Sequence, residues 1–406
     1  MTTKRITRRR MLGAIGAAGA LAALPACRKR SDDSGDATRS TGSGKRVKVG
    51  VVIPQSGVYA PLGTDMKRGW DLWLERHRGM LGPYQVTTVV ADEGESPQTG
   101  VQAVQKLLQR DEVDVLVGIV SSAVALASQT PVKEARKVLV VANAGAGAIT
   151  GASRTPYIWR TSFTNAQISS VMGQHLATAG AGGPVYLIAP DYAAGAEVLA
   201  GFRKTFTAGG GQIAGEAKPA FGKTQDYQPY LTGTRESGAR AVFCFFSGAE
   251  AVSFVKQYSE FGLAGKLPLY ASGFLTEGSV LDAQGDAAIG IQTTLHYSTE
   301  LDRPANRELI AAYREKFSAT PTVFTVQTWD AAAVLDRALG TATGLDGDSV
   351  AAALGTVGAI EDSPRGAWSF DGQSPKQNMY LRVVEKRGAA YVNAVVRDLG
   401  VFAQVS

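Results

Sequence analysis

The sequence contains few of the residues that form disulfides and metal sites. Its 406 residues include two cysteines, Cys27 and Cys244, and three histidines. Cys244 lies inside the apolar run 241–246, which is typical of a small residue in a buried strand rather than of a nucleophile. The histidines are far apart in the chain and lack the paired spacing of zinc ligands. We therefore expect no metal site.

Motifs that would indicate an enzyme are also missing. No Gly-x-Ser-x-Gly motif precedes a helix, no phosphate-binding Gly-Lys-Ser/Thr loop occurs, and no histidine lies in a close group with acids. Asp92 and Glu93 are adjacent carboxylates, but neighbours on an extended segment point in opposite directions. The sequence therefore predicts no catalytic residue and no cofactor, and we expect the protein not to be an enzyme.

The first 26 residues have the design of an export signal. Five basic residues and no acid accompany an apolar run from Met11 to Leu24. A permanent transmembrane helix needs about 20 apolar residues, and this run is shorter. We predict a removable signal peptide over residues 1–26. The segment Thr7-Arg8-Arg9-Arg10-Met11-Leu12 resembles a twin-arginine export motif, which favours Tat export.

The segment Leu24-Pro25-Ala26-Cys27 resembles a lipobox, whose cysteine is diacylated and becomes the new N-terminus. The alternative is that Cys27 is an ordinary free thiol. From Arg28 to Arg46 the chain is polar and has almost nothing apolar to bury, so it cannot offset the entropy of ordering. We predict a lipidated Cys27 and a flexible tether over residues 27–46. The protein would then be anchored to the outer face of the cytoplasmic membrane or lie in the periplasm.

The positive charge of the chain comes from the export segment. The whole sequence has 42 Lys and Arg against 36 Asp and Glu, a formal net charge of +6. Without the five cations that precede Cys27, the remaining chain carries a net charge of about +1. A nucleic-acid-binding protein would have a basic patch within its folded part, so we predict no nucleic-acid partner.

The rest of the chain predicts an α/β fold with two domains. About 360 residues follow the tether, which is more than one ordinary core holds. Short apolar runs alternate with amphipathic helical patterns, as in parallel sheets that helices cover on both faces. We predict two doubly wound α/β lobes. Lobe 1 comprises residues 47–164 plus about 299–375, and lobe 2 comprises residues 165–298 plus about 376–406.

Open sheets of this kind bind ligands beyond the carboxyl ends of their strands. Ser121 and Ser122 follow one strand where a helix begins, and free N–H groups there favour a carboxylate. A plain N-cap explains one of the two serines equally well. The loop 143–147 has small residues that permit close approach of a ligand to the backbone, although it can also be a flexible turn. The same argument singles out loops at Ser56-Gly57, Asp191-Tyr192, Phe246-Ser247-Gly248 and Ser272-Gly273-Phe274-Leu275.

Together these segments resemble the type I periplasmic binding proteins of branched-chain amino-acid ABC importers, the leucine/isoleucine/valine-binding family. The resemblance runs from about Val47 to Arg397. The residues that carry it are Gly50-Val51-Val52-Ile53-Pro54-Gln55-Ser56-Gly57-Val58-Tyr59-Ala60-Pro61-Leu62-Gly63, the Val117–Ser122 loop, Tyr157-Ile158-Trp159-Arg160-Thr161, and Asp191-Tyr192 with Gly195.

The resemblance implies two lobes joined by hinge strands, which close on a small molecule and then dock on a membrane permease. It implies that Ser122 and the small residues Ala144 and Ala146 bind the ligand carboxylate. In the second lobe, a tyrosine-type position of the family falls near Phe246. The acidic residue that pairs with the ligand ammonium falls at or near Phe274.

Because the residue at that last position is a phenylalanine, the sequence does not decide whether the ligand carries an amino group. An ammonium without a counter-ion would lose a charge-assisted hydrogen bond, about 1.5 to 3 kcal/mol, unless Glu277 or Asp191 replaces the missing acid. We expect a small carboxylate ligand, with a branched-chain or other amino acid slightly preferred. The alternatives are an aromatic or aliphatic carboxylate without an amino group, or a ligand sensor of the same fold. The predicted ligand-binding residues are Ser56, Tyr59, Ser121, Ser122, Ala144, Gly145, Ala146, Asp191, Tyr192, Phe246, Gly273 and Phe274.

Overall fold

A computed structural model describes residues 44–404, which belong to one compact unit. The predicted signal peptide, Cys27 and the tether up to residue 43 lie outside the described residues. Within residues 44–404, no helix is both long enough and apolar enough to cross a membrane. Two separate β-sheets organise this part of the chain.

The first sheet has six strands in the order β2-β3-β1-β4-β5-β6. All neighbouring strands are parallel except β2, which pairs antiparallel with β3. The central strands are runs of valine, leucine and isoleucine and are buried, as expected for strands that helices cover on both faces. The strands are β1 (Arg46–Ile53), β2 (Met80–Leu81), β3 (Tyr84–Asp92), β4 (Val115–Gly118), β5 (Val138–Val141) and β6 (Ile158–Arg160).

The second sheet has nine strands in the order β12-β13-β14-β11-β10-β9-β7-β8, with β15 paired to β14. Strands β7 to β11 are parallel to one another, and β12 to β15 form an antiparallel extension that joins them where β14 pairs antiparallel with β11. The strands are β7 (Val185–Ile188), β8 (Ile213–Ala217), β9 (Ala241–Cys244), β10 (Leu269–Ser272), β11 (Gln292–Leu295), β12 (Ala359–Ile360), β13 (Trp368–Asp371), β14 (Ser374–Arg387) and β15 (Ala390–Phe402).

Twelve α-helices lie in the described part of the chain. They are α1 (Ala60–Arg76), α2 (Pro97–Gln109), α3 (Ser122–Ala127), α4 (Gln129–Ala135), α5 (Asn165–Ala179), α6 (Ala193–Ala208), α7 (Gln228–Glu236), α8 (Gly248–Glu260), α9 (Ser279–Gln284), α10 (Pro304–Phe317), α11 (Val323–Thr341) and α12 (Gly347–Leu354). The sequence pattern suggests one helix over residues 122–136, but the structure divides it at Ser128. Pro131 has no N–H to donate to the carbonyl of Ala127, so the helix cannot run on unbroken.

The prediction of two doubly wound lobes joined by hinge segments is confirmed. Within residues 44–404 the chain crosses between the lobes at segments 161–164, 296–303 and 355–358, because α10, α11 and α12 return to the first sheet after β11. The lobe boundary at about residue 375 stays a prediction. Strands β12 and β13, which precede it in the chain, already pair within the second sheet.

Two buried arginines hold the crossing segments together. Arg365, which follows the third crossing, lies 2.8 Å from a carboxylate oxygen of Asp330 on α11. The same guanidinium donates hydrogen bonds to the carbonyl oxygens of Thr161 and Ser162 in the first crossing, at 2.7 and 3.2 Å. Both members of the ion pair are buried. One side chain thus joins two crossings to a helix of the first lobe.

Arg382 on β14 has the same role at the second crossing. Its guanidinium pairs with Glu277 at 3.0 Å and donates to the carbonyl oxygen of Tyr297 at 2.8 Å. The Glu277 carboxylate also accepts a hydrogen bond from the N–H of Val323, the first residue of α11. This pair therefore links the second lobe to the start of a helix in the first lobe.

We predict that Arg365→Met strongly destabilises the protein. The substitution leaves Asp330 buried without its cation, which costs about 3 to 5 kcal/mol in other proteins. Urea denaturation of both proteins measures the loss. Arg387→Met is the matched control, because Arg387 forms its ion pairs with Glu300 and Glu385 at the surface, where screening by water makes them weak. Equal losses for the two variants would contradict the prediction.

Candidate ligand-binding cleft

A narrow cavity of about 30 Å³ lies where loops of the two lobes meet. Its wall is formed by residues that follow the carboxyl ends of strands β1, β4, β5, β6, β7, β9 and β10, together with Phe324 of α11. This is the edge at which open parallel sheets bind ligands. The volume accommodates about two water molecules, so a larger molecule enters only when the lobes separate.

The wall is rich in aromatic rings and has no charged side chain among the described residues. Six aromatic side chains line it: Tyr59, Phe163, Tyr192, Phe245, Phe274 and Phe324. Four side chains offer neutral hydrogen-bonding groups: Ser122, Asn143, Asn165 and Ser247. Leu62, Val120, Gly145 and Ala194 complete the wall. Within residues 44–404 no group of three or more histidine, cysteine or acidic side chains could hold a metal ion.

Five of the predicted ligand-binding residues lie in the wall of this cavity. They are Tyr59, Ser122, Gly145, Tyr192 and Phe274. Ser122 is 2% exposed, and its hydroxyl accepts a hydrogen bond from the amide of Asn165 at 3.4 Å. The hydroxyls of Tyr59 and Tyr192 are 2.9 Å apart, so they join the first lobe to the second.

Two predicted serines lie outside the wall. The Ser56 side chain is exposed and donates a hydrogen bond to Asp92 at 2.8 Å. The Ser121 hydroxyl accepts a hydrogen bond from the N–H of Val124, so Ser121 is the N-cap of α3. Of the two adjacent serines, one caps the helix and the other faces the cavity.

The predicted alanines of the small loop also lie behind the wall rather than in it. The carbonyl oxygens of Ala144 and Ala146 accept hydrogen bonds from the buried guanidinium of Arg160, at 3.3 and 2.7 Å. In a trans peptide the N–H points opposite to the preceding carbonyl. The N–H of Gly145 therefore points away from Arg160.

The other three predicted residues lie elsewhere in the second lobe. Asp191 is exposed, and its N–H pairs with the carbonyl of Pro219. Phe246 is buried against Phe254, with ring centroids 4.2 Å apart, in the core of the second lobe. The carbonyl of Gly273 accepts a hydrogen bond from Arg382. None of the three lines the cavity.

Alternation along extended segments explains several of the residues that face the cavity, although Ala194 lies within α6. The wall contains five pairs of residues two positions apart: 120 and 122, 143 and 145, 163 and 165, 192 and 194, and 245 and 247. Successive side chains of an extended chain point to opposite sides. Phe246 therefore points into the core while Phe245 and Ser247 point into the cavity.

Several wall residues were not predicted from the sequence. They are Leu62, Val120, Asn143, Phe163, Asn165, Ala194, Phe245, Ser247 and Phe324. The sequence did indicate the positions of Asn143 and Ser247, because both lie in loops that the sequence predicts to follow strands at the ligand-binding edge. Phe324 has no such signal, since it belongs to a helix that returns to the first lobe after crossing 296–303.

The lobes are closed on each other around the cavity. The N–H of Ala249 on α8 donates to the carbonyl of Val58 in the other lobe at 3.4 Å. Rings of the two lobes also meet, since Phe221 stacks on Tyr192 with centroids 4.3 Å apart and lies 5.8 Å from Tyr59. Burial raises the pKa of both tyrosines, so their hydroxyls stay protonated. They can therefore donate as well as accept hydrogen bonds.

Neither acid that could replace the acid missing at Phe274 lies in the wall. Glu277 is bound to Arg382 and to the N–H of Val323, and Asp191 is exposed. Two other acids act on residues of the wall: Glu250 acts electrostatically on Tyr59 and Tyr192, and Glu197 is hydrogen-bonded to Asn165. The bonded oxygen, Oε2 of Glu197, accepts hydrogen bonds from the Asn165 amide at 2.9 Å and from the N–H of Gly147 at 3.1 Å.

A buried carboxylate lies behind the wall at the start of α3. Glu93 is 0% exposed, and its two oxygens accept hydrogen bonds from the N–H groups of Val120 and Ser121, at 2.8 and 2.5 Å. Burial raises the pKa of the Glu93 carboxyl to about 7, although both hydrogen bonds lower it. These N–H groups are therefore already bound to a protein carboxylate.

A second and larger cavity of about 830 Å³ is lined by other residues, none of which lines the small cavity. Its lining mixes four arginines with four acids: Arg68, Arg307, Arg314 and Arg382 with Asp65, Glu277, Asp282 and Glu300. These charges balance, and several of them already pair with each other or with neighbours. The small cavity is the better candidate site, because it lies at the carboxyl ends of the strands.

Comparison with known proteins identifies the family. A family model described as a periplasmic binding protein matches residues 46–389. The chain belongs to this family. A Leu/Ile/Val-binding protein homolog from Brucella melitensis is 32% identical over 347 residues, which cover 84% of this chain and 88% of the relative. Members of the family are exported proteins that bind small solutes for ABC permeases, and this binding protein is not an enzyme.

Two solved structures of similar binding proteins were crystallised with aromatic acids. A solute-binding protein from R. palustris in complex with benzoate has 34% identity and a TM-score of 0.82, covering 88% of this chain and 98% of that one. A second, from Rhodopseudomonas palustris BisB5 in complex with 3,4-dihydroxybenzoic acid, has 31% identity and the same TM-score, covering 89% and 98%.

Proposed function

We propose that this binding protein captures an aromatic carboxylate without an amino group and delivers it to an ABC permease. The observation that carries the proposal is the cavity wall, where six aromatic rings surround four neutral hydrogen-bonding side chains and no acid is present among the described residues. Aromatic rings suit a flat apolar ligand. An ammonium group would find no carboxylate within this wall.

The first-lobe side of the cavity has the groups that suit a carboxylate. The Ser122 hydroxyl can donate from the wall, and so can one amide hydrogen of Asn143, whose amide already donates to Gln327 at 2.6 Å. Behind Gly145, Arg160 is fully buried, and its guanidinium hydrogen-bonds to carbonyls and neutral side chains. A buried positive charge in that position stabilises a negative ligand. The benzoate and dihydroxybenzoate complexes of the two similar proteins support the same ligand class.

A branched-chain or other amino acid is the second candidate. The name of the Brucella relative favours it, and Glu197, which is bound to the wall residue Asn165, is one carboxylate that could receive the ammonium. The hydrogen bonds from Asn165 and Gly147 both go to one oxygen, Oε2, of Glu197, and this acid is not among the residues that line the cavity, so an ammonium inside the wall would not contact it directly. We therefore prefer the aromatic acid.

Pairs of acids that differ only in the amino group test the ligand class. We expect the purified protein to bind benzoate and 3-phenylpropanoate in isothermal titration calorimetry, and to bind L-phenylalanine at least about tenfold more weakly than 3-phenylpropanoate. L-leucine with 4-methylpentanoate is the matched aliphatic pair. Tighter binding of the amino acid in both pairs would reject the proposal in favour of the second candidate.

Ser122 should contribute directly to the affinity for the carboxylate. We expect Ser122→Ala to weaken binding of the acid by about 1 to 3 kcal/mol, since one donor to a charged group is lost. Ser121→Ala is the matched control. It removes the cap of α3 and so lowers the melting temperature, but it leaves the wall intact and should not change the affinity. The reverse pattern would mean that Ser121 binds the ligand and Ser122 does not.

We also propose that the protein is a lipoprotein anchored through Cys27. The lipobox resemblance of residues 24–27 and the polar tether after them support this proposal. In cells, Cys27→Ala should move the protein from the membrane fraction to the soluble fraction, with Cys244→Ala as the control that stays membrane-bound. If the Cys27 variant stays in the membrane fraction to the same extent as wild type, lipidation is not the anchor.

A further inference from the structure

The position of Glu93 has a consequence for a negatively charged ligand. Its carboxylate binds the N–H groups of Val120 and Ser121, while Val120 and Ser122 themselves line the cavity. The carboxylate is thus separated from the cavity by a single layer of backbone. A ligand carboxylate held by Ser122 would lie close to a second carboxylate in an environment without bulk water.

The surroundings of Glu93 give it no positive partner among the described residues. The ionisable groups that act on it are Asp92, its neighbour on β3, and Tyr59 at the start of α1. From α3 it receives only the two backbone N–H groups, and α2 packs against its backbone carbonyl through Gly100. The negative charge of Asp92 disfavours a negative charge on Glu93, and Tyr59 is neutral. A second carboxylate bound at Ser122 would therefore disfavour the ionised form of Glu93 further, because like charges repel strongly where bulk water is excluded.

We propose that Glu93 takes up a proton when the cleft binds its anionic ligand, so that Glu93 makes the affinity for the ligand dependent on pH. The inference rests on the proposed carboxylate ligand. The proton comes from solvent and binds to a Glu93 oxygen, and no covalent bond to the ligand forms. Protonation removes the negative charge behind the wall at the moment when the ligand introduces one in front of it.

The direction of the pH effect follows from linkage. The ligand raises the pKa of Glu93 above its value of about 7 in the free protein. The complex then binds more protons than the free protein, so affinity falls as pH rises above 7. The largest slope is about tenfold in Kd for each pH unit, which is the limit for one proton.

Calorimetry in two buffers tests the inference, with sodium benzoate as the probe. Proton uptake appears as a difference between the binding enthalpies in phosphate and Tris buffer at pH 7.5, because the two buffers have different ionisation enthalpies. We expect wild type to take up a substantial fraction of a proton and its Kd to rise at least about fivefold from pH 6.5 to pH 8.5. Glu93→Gln should show no uptake and a flat pH profile.

Asp282→Asn is the matched control. Asp282 on α9 is an exposed acid whose pKa is also raised by desolvation, but it lines the larger cavity rather than the cleft. This variant should keep the proton uptake of wild type. No uptake in wild type, or equal uptake in Glu93→Gln, would overturn the inference.

A second measurement separates failure of this inference from failure of the proposed function. Carbon-13 NMR of the wild-type side-chain carboxyls reports the pKa of Glu93 without a ligand and without a substitution that could disturb folding. If neither benzoate nor 3-phenylpropanoate binds, the proposed function fails. A Glu93 pKa in the ordinary range near 4 would independently overturn the inference, whether or not benzoate binds, and a value near 7 that rises with benzoate supports it.

Discussion

The buried ion pair between Arg365 and Asp330 is the contact on which the arrangement of the lobes depends. The Arg365 guanidinium also donates hydrogen bonds to the carbonyl oxygens of Thr161 and Ser162 in the first crossing. The next residue in the chain, Phe163, lines the cavity. An ion pair of this kind adds little net stability over a well-packed apolar pair, but it is costly to break and has a fixed geometry. It therefore fixes where the two sets of loops face each other.

Charge is placed behind the wall of the cleft rather than in it. Arg160 lies behind the loop around Gly145, and Glu93 lies behind Val120. The wall itself is aromatic and neutral, so it can exclude water and stack on a flat ligand. A positive charge behind one part of the wall and a titratable group behind another then determine how well the site tolerates an anion. This division separates recognition of shape from recognition of charge.

Closure connects these features to function. Tyr59 and Tyr192 come from different lobes and share a hydrogen bond, and Val58 bonds to Ala249 across the same gap. With the lobes in this position the cavity has room for little more than water. Ligand binding and lobe movement are therefore linked in this protein, as in other two-lobed folds that close around a ligand.

The sequence alone determined the local elements, the α/β class with two lobes, and the loops in which the site lies, because strand and helix periods are written into the spacing of apolar residues. It also showed a phenylalanine, Phe274, where the family resemblance implies an acid, which left a carboxylate without an amino group as an alternative to the slightly preferred amino acid. The tertiary structure decided which side chains of each loop face the cavity. Phe245 lines the cavity and Phe246 does not. The sequence shows that neighbouring side chains alternate, but only packing against the core decides which of the two sides faces the cavity. Phe324 and the crossings held by Arg365 come from distant parts of the chain, and no local pattern can bring them together.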